Sequence, residues 1–489
     1  MTRSAALATE PVWVGLDLGT QGVRAVAVTA SGTAVATASR PLLRDHRADE
    51  RHEQDPEEWW QVVCAVLSEL VAGLDGAPVQ ALATSSTSGT VLTCDADGRP
   101  LGSALMYDDT RAAGEVDLVQ RAGADRWARL GYRVQPSWAL PKVAWLQRAG
   151  ALPRGVHVAH QSDSIAARLV GHRVATDTSH ALKTGYDPLE RTWPLDVLTE
   201  VRVDPGCLPE VVLPGEGLGV VCAAASAVTG LPAGTPVRAG MTDGCAAQVA
   251  TGALAAGSWS SALGTTLVVK GATAELLRDP SGAVYSHLNP DGGWLPGGAS
   301  STGAGVIATA FAGADLDALT RRAAAHDPAP GTTYPLTGHG ERFPFVAPGA
   351  RGFSTLDTDD QAVRFAGVLQ GVALLERLCY DVLRGLGADT SGPVALSGGA
   401  TRNTWWNQLR ADVLRRETVL PASAEAAVGA AVLAAAAPGE LASTAARMVR
   451  IVERLDPDPA RGDRYEEPYA ALVSMLTERG WLDAHLVSA

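Results

Sequence analysis

The sequence lacks the motifs that mark two well-known classes of nucleotide-binding protein. It contains no G-x-x-x-x-G-K-[ST] segment, which excludes a P-loop enzyme at the level of the motif. The fingerprint G-x-G-x-x-G is also missing from the first strand turn, where a dinucleotide-binding domain would carry it. If the chain binds a nucleotide, a different arrangement of glycines must hold the phosphates.

Cysteines are few, and clusters of basic residues are absent. The six cysteines form no C-x-x-C pair, so we expect free thiols of a reducing compartment and neither a zinc site nor a disulfide framework. The net charge is -13, and the 40 lysine and arginine residues form no basic run, which argues against a nucleic-acid partner. A small neutral substrate used with a metal–phosphate cofactor fits this charge better.

Long apolar runs and a leader segment are lacking as well. The longest alanine-rich run, Ala426 to Ala437, is too short to span a bilayer and predicts a buried helix. Residues Met1 to Glu10 show no basic region followed by an apolar core, so no signal peptide is indicated. We therefore expect no membrane partner and a cytoplasmic location. The length of 489 residues exceeds what one hydrophobic core usually supports, which predicts two domains.

The most informative stretch is Val12 to Arg24, V-W-V-G-L-D-L-G-T-Q-G-V-R. Its alternation and its glycines predict a strand, a tight turn and a second strand. A glycine turn lets backbone N–H groups approach phosphate oxygens, and Thr20 and Gln21 can add side-chain donors. Because Asp17 would repel phosphates unless a divalent cation lay between them, the combination favours a magnesium-bridged nucleotide. An ordinary hairpin with an exposed aspartate is the alternative.

A second copy of this turn occurs half a chain later. Leu18-Gly19-Thr20 recurs as Leu263-Gly264-Thr265, 245 residues further on and again between strand-like segments. Such an offset is typical of a duplicated domain. Two glycine–threonine turns, one in each half, can hold a polyphosphate between two domains, and phosphoryl transfer there would require closure against water.

Phosphoryl transfer to a hydroxyl needs a base, and Asp243 is the candidate. It follows a strand that ends at Met241, begins a predicted helix through Gln248, and precedes the second glycine turn. A carboxylate there can accept the hydroxyl proton as the bond to phosphorus forms, a role that typically contributes about 10² to 10⁴ in rate. An aspartate that only caps the helix is the alternative.

Further segments place polar side chains where a ligand can bind. Ser85 to Thr90, S-S-T-S-G-T, follows a strand end, where open α/β sheets bind ligands; a loop that satisfies its own hydroxyls is the alternative. Tyr107 to Arg111 sets carboxylates beside a guanidinium, which also fits a solvated turn. Ser397 to Ala400, S-G-G-A, lies between a strand and a helix, where backbone can contact a ring or a phosphate. Lys142 stands inside an apolar helical pattern.

Together these motifs resemble the FGGY carbohydrate kinases over nearly the whole chain. The resemblance rests on G-L-D-L-G-T-Q-G-V-R at Gly15 to Arg24, G-M-T-D-G at Gly240 to Gly244, and S-G-G-A-T-R-N-T-W-W-N-Q at Ser397 to Gln408. It implies an α/β fold of two actin-like ATPase (ribonuclease H-like) domains with a central interdomain cleft. The expected domains are residues 1–239, for sugar and phosphate, and residues 240–489, with the catalytic aspartate and the ATP site.

The resemblance also implies a role for each candidate residue. Asp17 would bind Mg²⁺ and lie near the sugar, and Asp243 would be the catalytic base beside the substrate. The remaining candidates would bind ATP, through its phosphates at Thr20, Gln21, Gly264, Thr265 and Thr266 and through adenosine at Gly398, Gly399 and Asn403. The implied cofactors are ATP and Mg²⁺, the implied partners are a sugar and ATP, and a homodimer is one option for the assembly.

Two loops bear on the identity of the sugar. Xylulokinases commonly have G-Q-M-H-G where this chain has T-S-G-T at Thr87 to Thr90, and W-x-D-x-R where it has Tyr107, Asp109 and Arg111. These changes, with G-A-S-S-T-G at Gly298 to Gly303, are more similar to the D-ribulose kinase branch. The resemblance therefore implies phosphorylation of the terminal hydroxyl of a ketopentose, D-ribulose first and D-xylulose as the alternative.

Within these loops, Ser88 is the hydroxyl expected to touch the sugar, with Asp109 and Arg111 beside it. A rival from another class is an actin-like ATPase that moves its domains for a protein partner, as a chaperone or a filament does. A kinase-like sensor that binds both ligands without turnover is a third reading, which the presence of both Asp17 and Asp243 disfavours. An ATPase rate that rises with free pentose would favour the kinase.

Overall fold

A computed structural model of the chain describes residues 10–483 and 485, and it divides into two compact units. The first unit extends through Gly252 and also contains His287–Gly292 and Ser423–Arg450. The second contains Ala253–Ser286, Gly293–Ala422 and the chain from Ile451 onward. The domain boundary expected at 239/240 therefore falls inside the first unit. The expectation about a signal peptide concerns residues that, apart from Glu10, lie outside the described range.

The strands are short and are distributed along both units. In chain order they are β1 (Val12–Leu18), β2 (Gly22–Thr29), β3 (Ala34–Pro41), β4 (Asp45–Ala48), β5 (Arg51–Gln54), β6 (Val79–Ser86), β7 (Val91–Cys94), β8 (Ala104–Leu105), β9 (His157–His160), β10 (Thr176–Asp177), β11 (Val211–Val212), β12 (Gly217–Val220), β13 (Pro236–Thr242), β14 (Trp259–Leu263), β15 (Leu267–Gly271), β16 (Val284–Leu288), β17 (Trp294–Ala299), β18 (Thr333–Glu341), β19 (Ala347–Ser354), β20 (Val394–Ser397), β21 (Thr418–Pro421) and β22 (Ile451–Leu455).

The helices cover the sheets. In chain order they are α1 (Pro56–Ala72), α2 (Val116–Ala122), α3 (Ala124–Leu130), α4 (Ala139–Arg148), α5 (Gln161–Val170), α6 (Thr178–Ala181), α7 (Leu195–Glu200), α8 (Ala223–Thr229), α9 (Asp243–Thr251), α10 (Gly305–Ala310), α11 (Leu316–Ala323), α12 (Gln361–Gly385), α13 (Thr404–Leu414), α14 (Ala426–Ala435), α15 (Leu441–Met448), α16 (Pro459–Asp463) and α17 (Glu466–Glu478). All six cysteines are free thiols, as expected.

The main sheet of the first unit has the order β12-β13-β6-β1-β2-β3. β1 is antiparallel to β2 and parallel to β6, and β6 is parallel to β13. Val12, Val14 and Leu16 alternate along β1 and are fully buried, so this face of the central strand is covered. The predicted opening hairpin is therefore confirmed, and it lies at the centre of the sheet.

The main sheet of the second unit repeats this arrangement. Its order is β16-β17-β15-β14-β20-β21-β22, with β14 antiparallel to β15 and parallel to β20, which is parallel to β21. β14 and β15 thus correspond to β1 and β2, while β20 corresponds to β6. The duplication predicted from the repeated Leu-Gly-Thr turn is present in the connectivity of the two sheets.

The first unit includes a helix that the sequence placed in the second domain. α14 packs on β1, and Gly15 permits this because a Cβ there would lie 1.7 Å from the carbonyl oxygen of Ala427. Gly429 allows the same helix to approach α9, where a Cβ would lie 1.8 Å from the carbonyl oxygen of Ala246. Because β13 and α9 also pack into this unit, Asp243 belongs to it, and the residue range 240–489 is not one compact body.

Candidate active site

The first glycine turn connects β1 to β2 and is held by local hydrogen bonds. The Gly19 N–H donates to the carbonyl of Gly22 over 3.0 Å, and the Gln54 side-chain amide donates to the carbonyl of Thr20 over 2.8 Å. Thr20 and Gln21 lie on the rim of an open pocket of about 650 Å³, which Asp17 and Tyr107 also line. The turn is therefore presented to a space large enough for a phosphate chain.

Asp17 lies near the end of β1, opposite Ser85 of β6 in the sheet. The Ser85 hydroxyl donates to its carboxylate over 2.8 Å. Burial raises the pKa of Asp17 to about 6, against the opposing effect of the Ser85 hydroxyl, and the negative charge of Asp243 adds to the increase. The two carboxylates therefore interact, and a cation placed beside Asp17 would stabilise its ionised form.

Asp243 is the first residue of α9, while Thr242 occupies the N-cap position. One oxygen of the Asp243 carboxylate accepts the N–H of Gly244 over 2.7 Å. In the sheet, Met241 and Thr242 pair with Ser85 and Ser86 of β6. The ends of β1, β6 and β13 consequently lie side by side. This arrangement brings Asp17 and Asp243 close to the start of Ser85 to Thr90, which we call the hydroxyl loop, as open α/β sheets do at their ligand sites.

A buried ion pair, which the motifs do not predict, supports these strand ends. His180 on α6 contacts Asp177 through Nδ1 over 2.5 Å and the Ser86 hydroxyl through Nε2 over 2.9 Å. Burial alone would lower the pKa of His180, but the Asp177 carboxylate outweighs burial and raises it. Asp177 also accepts the Ser179 hydroxyl, which in turn accepts the Thr242 N–H over 2.9 Å. Only the D-x-x-H spacing hinted at this network.

The hydroxyl loop after β6 satisfies some of its own polar groups but not all. Thr87 and Thr90 share a hydrogen bond of 2.7 Å, and Thr87 also donates to Gln161 over 2.8 Å. Ser88 is half-buried as a residue, and its buried hydroxyl has no hydrogen-bond partner among the described residues. Thr87 and Thr90 therefore satisfy each other within the protein, as the alternative interpretation of this loop expects. The Ser88 hydroxyl still needs a partner.

Asp109 and Arg111 contact each other. Asp109 is fully buried and accepts the Arg111 guanidinium over 2.7 Å and the His52 N–H over 2.9 Å. Arg111 also donates to Glu53 over 2.6 Å and stacks over Trp145. The pair therefore stabilises the turn from within. It is not the solvated ion pair that was the alternative, because the Asp109 side chain has no exposed surface.

The second glycine turn lies between β14 and β15 and is held by a neighbouring segment. The N–H groups of Ala304 and Gly305 donate to the carbonyls of Gly264 and Thr265 over 2.9 and 3.1 Å. Gly303 must be small, because a Cβ there would lie 2.6 Å from Cα of Thr266. Thr265 is exposed and Gly264 and Thr266 are half-buried, so the turn is open on one side.

Glu341 fixes the segment that holds this turn. Its carboxylate accepts hydrogen bonds from the Ser300 hydroxyl over 3.0 Å, the Thr302 hydroxyl over 2.9 Å and the Tyr334 hydroxyl over 2.8 Å, and from the Ser301 N–H. Glu341 is 3% exposed. A single glutamate in a loop rich in glycine and proline carries no sequence signal, so its role becomes visible only in the structure.

The S-G-G-A segment occupies, in the second unit, the position that the hydroxyl loop occupies in the first. Gly398 and Gly399 follow β20 and are exposed. Gly398 has φ of 87° and approaches the backbone of Leu263 closely, which requires glycine. Asn403 caps α13 by accepting the Trp406 N–H over 3.0 Å, and its amide donates to Thr320. Its side chain therefore already has structural partners.

The described residues offer no cage for a metal ion made of protein side chains alone. No three histidine, cysteine, aspartate or glutamate side chains within residues 10–483 and 485 converge on one point. Magnesium commonly uses one or two carboxylates together with substrate phosphates, which Asp17 beside the first turn can provide. Across the same residues, no helix is both long and apolar enough to cross a membrane.

The duplicated sheet, with a glycine turn in each copy, is the two-domain actin-like ATPase fold. Residues 12–250 match the N-terminal domain of the FGGY family of carbohydrate kinases, and residues 259–437 match its C-terminal domain. The chain belongs to this family. The predicted family and fold class are confirmed, and the protein is a carbohydrate kinase that uses ATP and a sugar.

Several relatives that match the chain bear the name xylulose kinase, and a relative named glycerol kinase matches at similar identity and coverage. A xylulose kinase of Streptomyces rubiginosus is 31% identical over 87% of this chain and 88% of its own length. A glycerol kinase of Gloeobacter violaceus is 30% identical over 91% and 92%. The crystal structure of a xylulose kinase from Rhodospirillum rubrum aligns with a TM-score of 0.84 at 27% identity, covering 96% of this chain and 99% of that one.

Proposed function

We propose that this kinase phosphorylates the terminal hydroxyl of a ketopentose, with D-ribulose preferred and D-xylulose as the alternative. The observation that carries the proposal is the meeting of three strand ends in the first unit. Asp17 of β1, Ser85 and Ser86 of β6, and Asp243 after β13 lie side by side there. A sugar hydroxyl at this point has a carboxylate to take its proton and a hydroxyl loop to hold the rest of the sugar.

Asp243 is the proposed general base. As the terminal oxygen of the sugar attacks the γ-phosphorus of ATP, its proton passes to the Asp243 carboxylate, the bond to the bridging oxygen breaks, and ADP leaves. The Gly244 N–H holds the carboxylate over 2.7 Å, and the Ser179 hydroxyl holds the preceding peptide at Thr242. These contacts orient the base before the substrate arrives.

Asp17 is the residue we propose to hold Mg²⁺. Its raised pKa reflects burial and a neighbouring carboxylate, both of which a divalent cation would offset. When bound, magnesium would neutralise charge on the phosphates during transfer. The phosphates themselves would be held by Thr20, Gln21, Gly264, Thr265 and Thr266, because glycine turns expose backbone N–H groups.

Gly398 and Gly399 are the proposed adenosine contacts. Both are exposed at the end of a parallel strand, and neither carries a side chain that would keep a flat ring from the backbone. The resemblance places Asn403 at the same site. Its side chain also caps α13 and donates to Thr320. We therefore propose that Asn403 supports the start of α13 beside the adenosine contacts.

The preference for D-ribulose rests on the T-S-G-T loop and on Ser88, whose buried hydroxyl has no hydrogen-bond partner among the described residues. D-xylulose stays the alternative because the relative from Streptomyces rubiginosus and the structure from Rhodospirillum rubrum bear the name xylulose kinase. Asp109 and Arg111, predicted as sugar contacts, are proposed instead to keep the turn after Tyr107 in place, since Asp109 has no exposed surface.

The test is a coupled ADP-release assay over D-ribulose, D-xylulose, L-ribulose and glycerol. We expect the highest kcat/KM for D-ribulose and a loss of about 10² to 10⁴ in kcat for Asp243→Ala and for the isosteric Asp243→Asn. ATP affinity, measured by calorimetry, should change little in both variants. Turnover at the normal rate in Asp243→Asn would remove this residue from the base role, and a preference for glycerol would overturn the assignment of substrate class.

We propose the cytoplasm as the place of action, because the ATP that the enzyme consumes is formed there. The homodimer stays a prediction. Light scattering at micromolar concentration would test it, and a single mass near the 50.5 kDa of one chain would contradict it.

A further inference from the structure

Lys142 is one of very few lysines in this chain. The lysines are Lys142, Lys183 and Lys270, and the other basic residues among the 40 are arginines. The difference matters because a buried lysine can lose its proton near neutral pH, whereas arginine stays charged. Lys142 lies on α4 and is fully buried, yet the proposed chemistry of phosphoryl transfer does not use it.

The Lys142 ammonium group bridges three separate segments. Its Nζ donates to the carbonyl oxygens of Tyr107 over 2.9 Å, Gly89 over 3.2 Å and Ser137 over 3.5 Å. An ammonium group has three donors and no acceptor, so three carbonyls match its hydrogen-bonding capacity. The Gly89 carbonyl belongs to the loop at 87–90, on which the sugar preference rests. The Tyr107 carbonyl begins the turn at 107–111 that Asp109 and Arg111 keep in place.

The backbone around the ammonium group is closely packed. Gly89 has φ of 93°, and a Cβ there would lie 2.3 Å from the Ser137 carbonyl oxygen. The loop can therefore lie against the segment before α4 only with glycine at this position. Lys183 lies in the short 3-10 helix Leu182–Thr184, which follows α6. It donates to the carbonyl of Ser88 over 3.4 Å, so a second lysine contacts the same loop.

The charged groups near Lys142 act in opposite directions. Burial, reinforced by the positive charge of Lys183, lowers the pKa of Lys142 to about 7, while Asp109 and Asp108 oppose the shift. Much of the Asp109 charge is already balanced by Arg111, and Asp108 contacts His52 and Arg47. The protonated and neutral forms of Lys142 are thus both accessible near pH 7.

We propose that Lys142 is a positioning residue for the sugar, fixing the loop at 87–90 against the loop at 107–111 through its three donors. This inference rests on the proposed function, which assigns the sugar to the loop at 87–90. A neutral amine keeps only two N–H donors, so one carbonyl loses its partner when Lys142 is deprotonated. The affinity for sugar should therefore fall as the pH rises through the pKa of Lys142, while the affinity for ATP should not.

Steady-state kinetics of Lys142→Met test the positioning role. We expect the KM for D-ribulose to rise on the order of tenfold to a hundredfold, since small displacements of positioning groups cost that much, with the KM for ATP unchanged within about twofold. Lys270→Met, which removes the buried lysine of β15, is the matched control and should leave both constants unchanged. Thermal melts and circular dichroism establish that each variant is folded.

A folded Lys142→Met enzyme with the normal KM for D-ribulose would overturn the proposal, and so would an equal rise in both KM values. Wild-type enzyme that turns over no pentose would instead overturn the proposed function. The two failures are therefore distinguishable in one set of assays.

A titration of the wild-type protein reports on Lys142 directly and keeps the proposal testable if the Lys142→Met variant does not fold. With lysine labelled at ¹³Cε, the chain has three lysine signals, which Lys183→Met and Lys270→Met assign. We expect the Lys142 signal to titrate with a midpoint near 7, the direction that burial imposes. D-Ribulose should move this midpoint upward, since the sugar binds the ammonium form, and Lys183→Met should do the same by removing a like charge.

A Lys142 midpoint that does not respond to saturating D-ribulose would overturn the proposal even if the sugar is phosphorylated. A signal that remains that of an ammonium group up to pH 9 would overturn the expected dependence of sugar affinity on pH and the mechanism that rests on it.

Discussion

The two glycine turns occupy equivalent positions in the two sheets, but different groups surround them. Asp17 pairs with Ser85 across the parallel strands of the first unit, and the equivalent pair in the second unit is Ala262 with Ser397. On the antiparallel side, Arg24 stands opposite Asp17, whereas Val268 stands opposite Ala262. The first copy therefore carries a carboxylate where the second carries a methyl group.

The surroundings of the turns differ in the same sense. The first turn is supported by side chains, through Gln54 and Ser85, and it has ionisable neighbours in Asp17 and Asp243. The second turn is supported by the backbone of residues 303–305 and, behind them, by Glu341. The comparison indicates that duplication kept the frame in both copies, while the ionisable Asp17 and its neighbour Asp243 lie beside the first turn.

The largest expected effect comes from removing the carboxylate that the first turn has and the second lacks. Asp17→Asn removes the proposed metal ligand and preserves the size of the side chain. We expect kcat/KM for the sugar to fall on the order of a thousandfold, because transition-state charge on the phosphates loses its cation. Magnesium titrations of the activity check this result. A magnesium dependence of the activity that equals that of the wild type would place the metal elsewhere.

The same substitution should stabilise the protein when magnesium and nucleotide are absent. Because the folded-state pKa of Asp17 is raised to about 6 from 3.8, the folded state binds the proton more tightly, and wild-type stability falls as the pH rises from about 4 to 6. Asp17→Asn lacks this loss, so its free energy of unfolding at pH 7 should exceed that of wild type by about 3 kcal/mol. Urea unfolding at pH 4 and pH 7 measures the difference, which should be smaller at pH 4.

The reverse substitution, Ala262→Asp, places a carboxylate beside the second turn. No compensating partner is expected, since Val268 and Ser397 are its neighbours in the sheet. A negative charge next to the proposed phosphate contacts should raise the KM for ATP on the order of tenfold and leave the KM for sugar unchanged. Ala262→Asn is the neutral control of equal size. Equal effects of the two variants would show that size, and not charge, is responsible.

The smallest expected effect concerns the support behind the second turn. Glu341→Gln replaces one acceptor oxygen by an amide NH₂ that faces hydroxyl donors, which should loosen residues 300–302. We expect the KM for ATP to rise about threefold to tenfold with an unchanged KM for sugar. Glu467→Gln, an exposed change on α17, serves as the control. A rise in the KM for sugar alone would contradict the role assigned to Glu341.

Local features of the fold could be predicted from the sequence because their signals are local. Alternation and glycines at neighbouring positions predict three of these features. They are the hairpin around Gly19, its repeat at Gly264 and the helix that begins near Asp243. The residues of the candidate site follow from the same motifs. Their chemistry could be inferred because a carboxylate beside a phosphate turn admits few explanations.

Other features depend on contacts between distant parts of the chain, which a pattern of neighbouring residues does not record. The sequence pattern predicts only that Gly15 is part of a strand. The structure shows that glycine is required there, because α14 packs directly against its backbone. The expectation that Asp109 and Arg111 face the sugar rested on a motif, whereas the structure buries Asp109 against Arg111. Lys142 stood out only as a charge in an apolar pattern, since its three carbonyl partners come from separate segments.

The position of α14 also has a consequence for how the protein is made. A ribosome that has released residues 1–252 has not yet synthesised the helix that covers Gly15 and β1, which arrives only with residues 426–435. The first unit therefore cannot complete its core during translation until nearly the whole chain has emerged. A gene fragment cut at residue 252 would leave an apolar face of the sheet uncovered, so neither unit is a module that recombination can move alone.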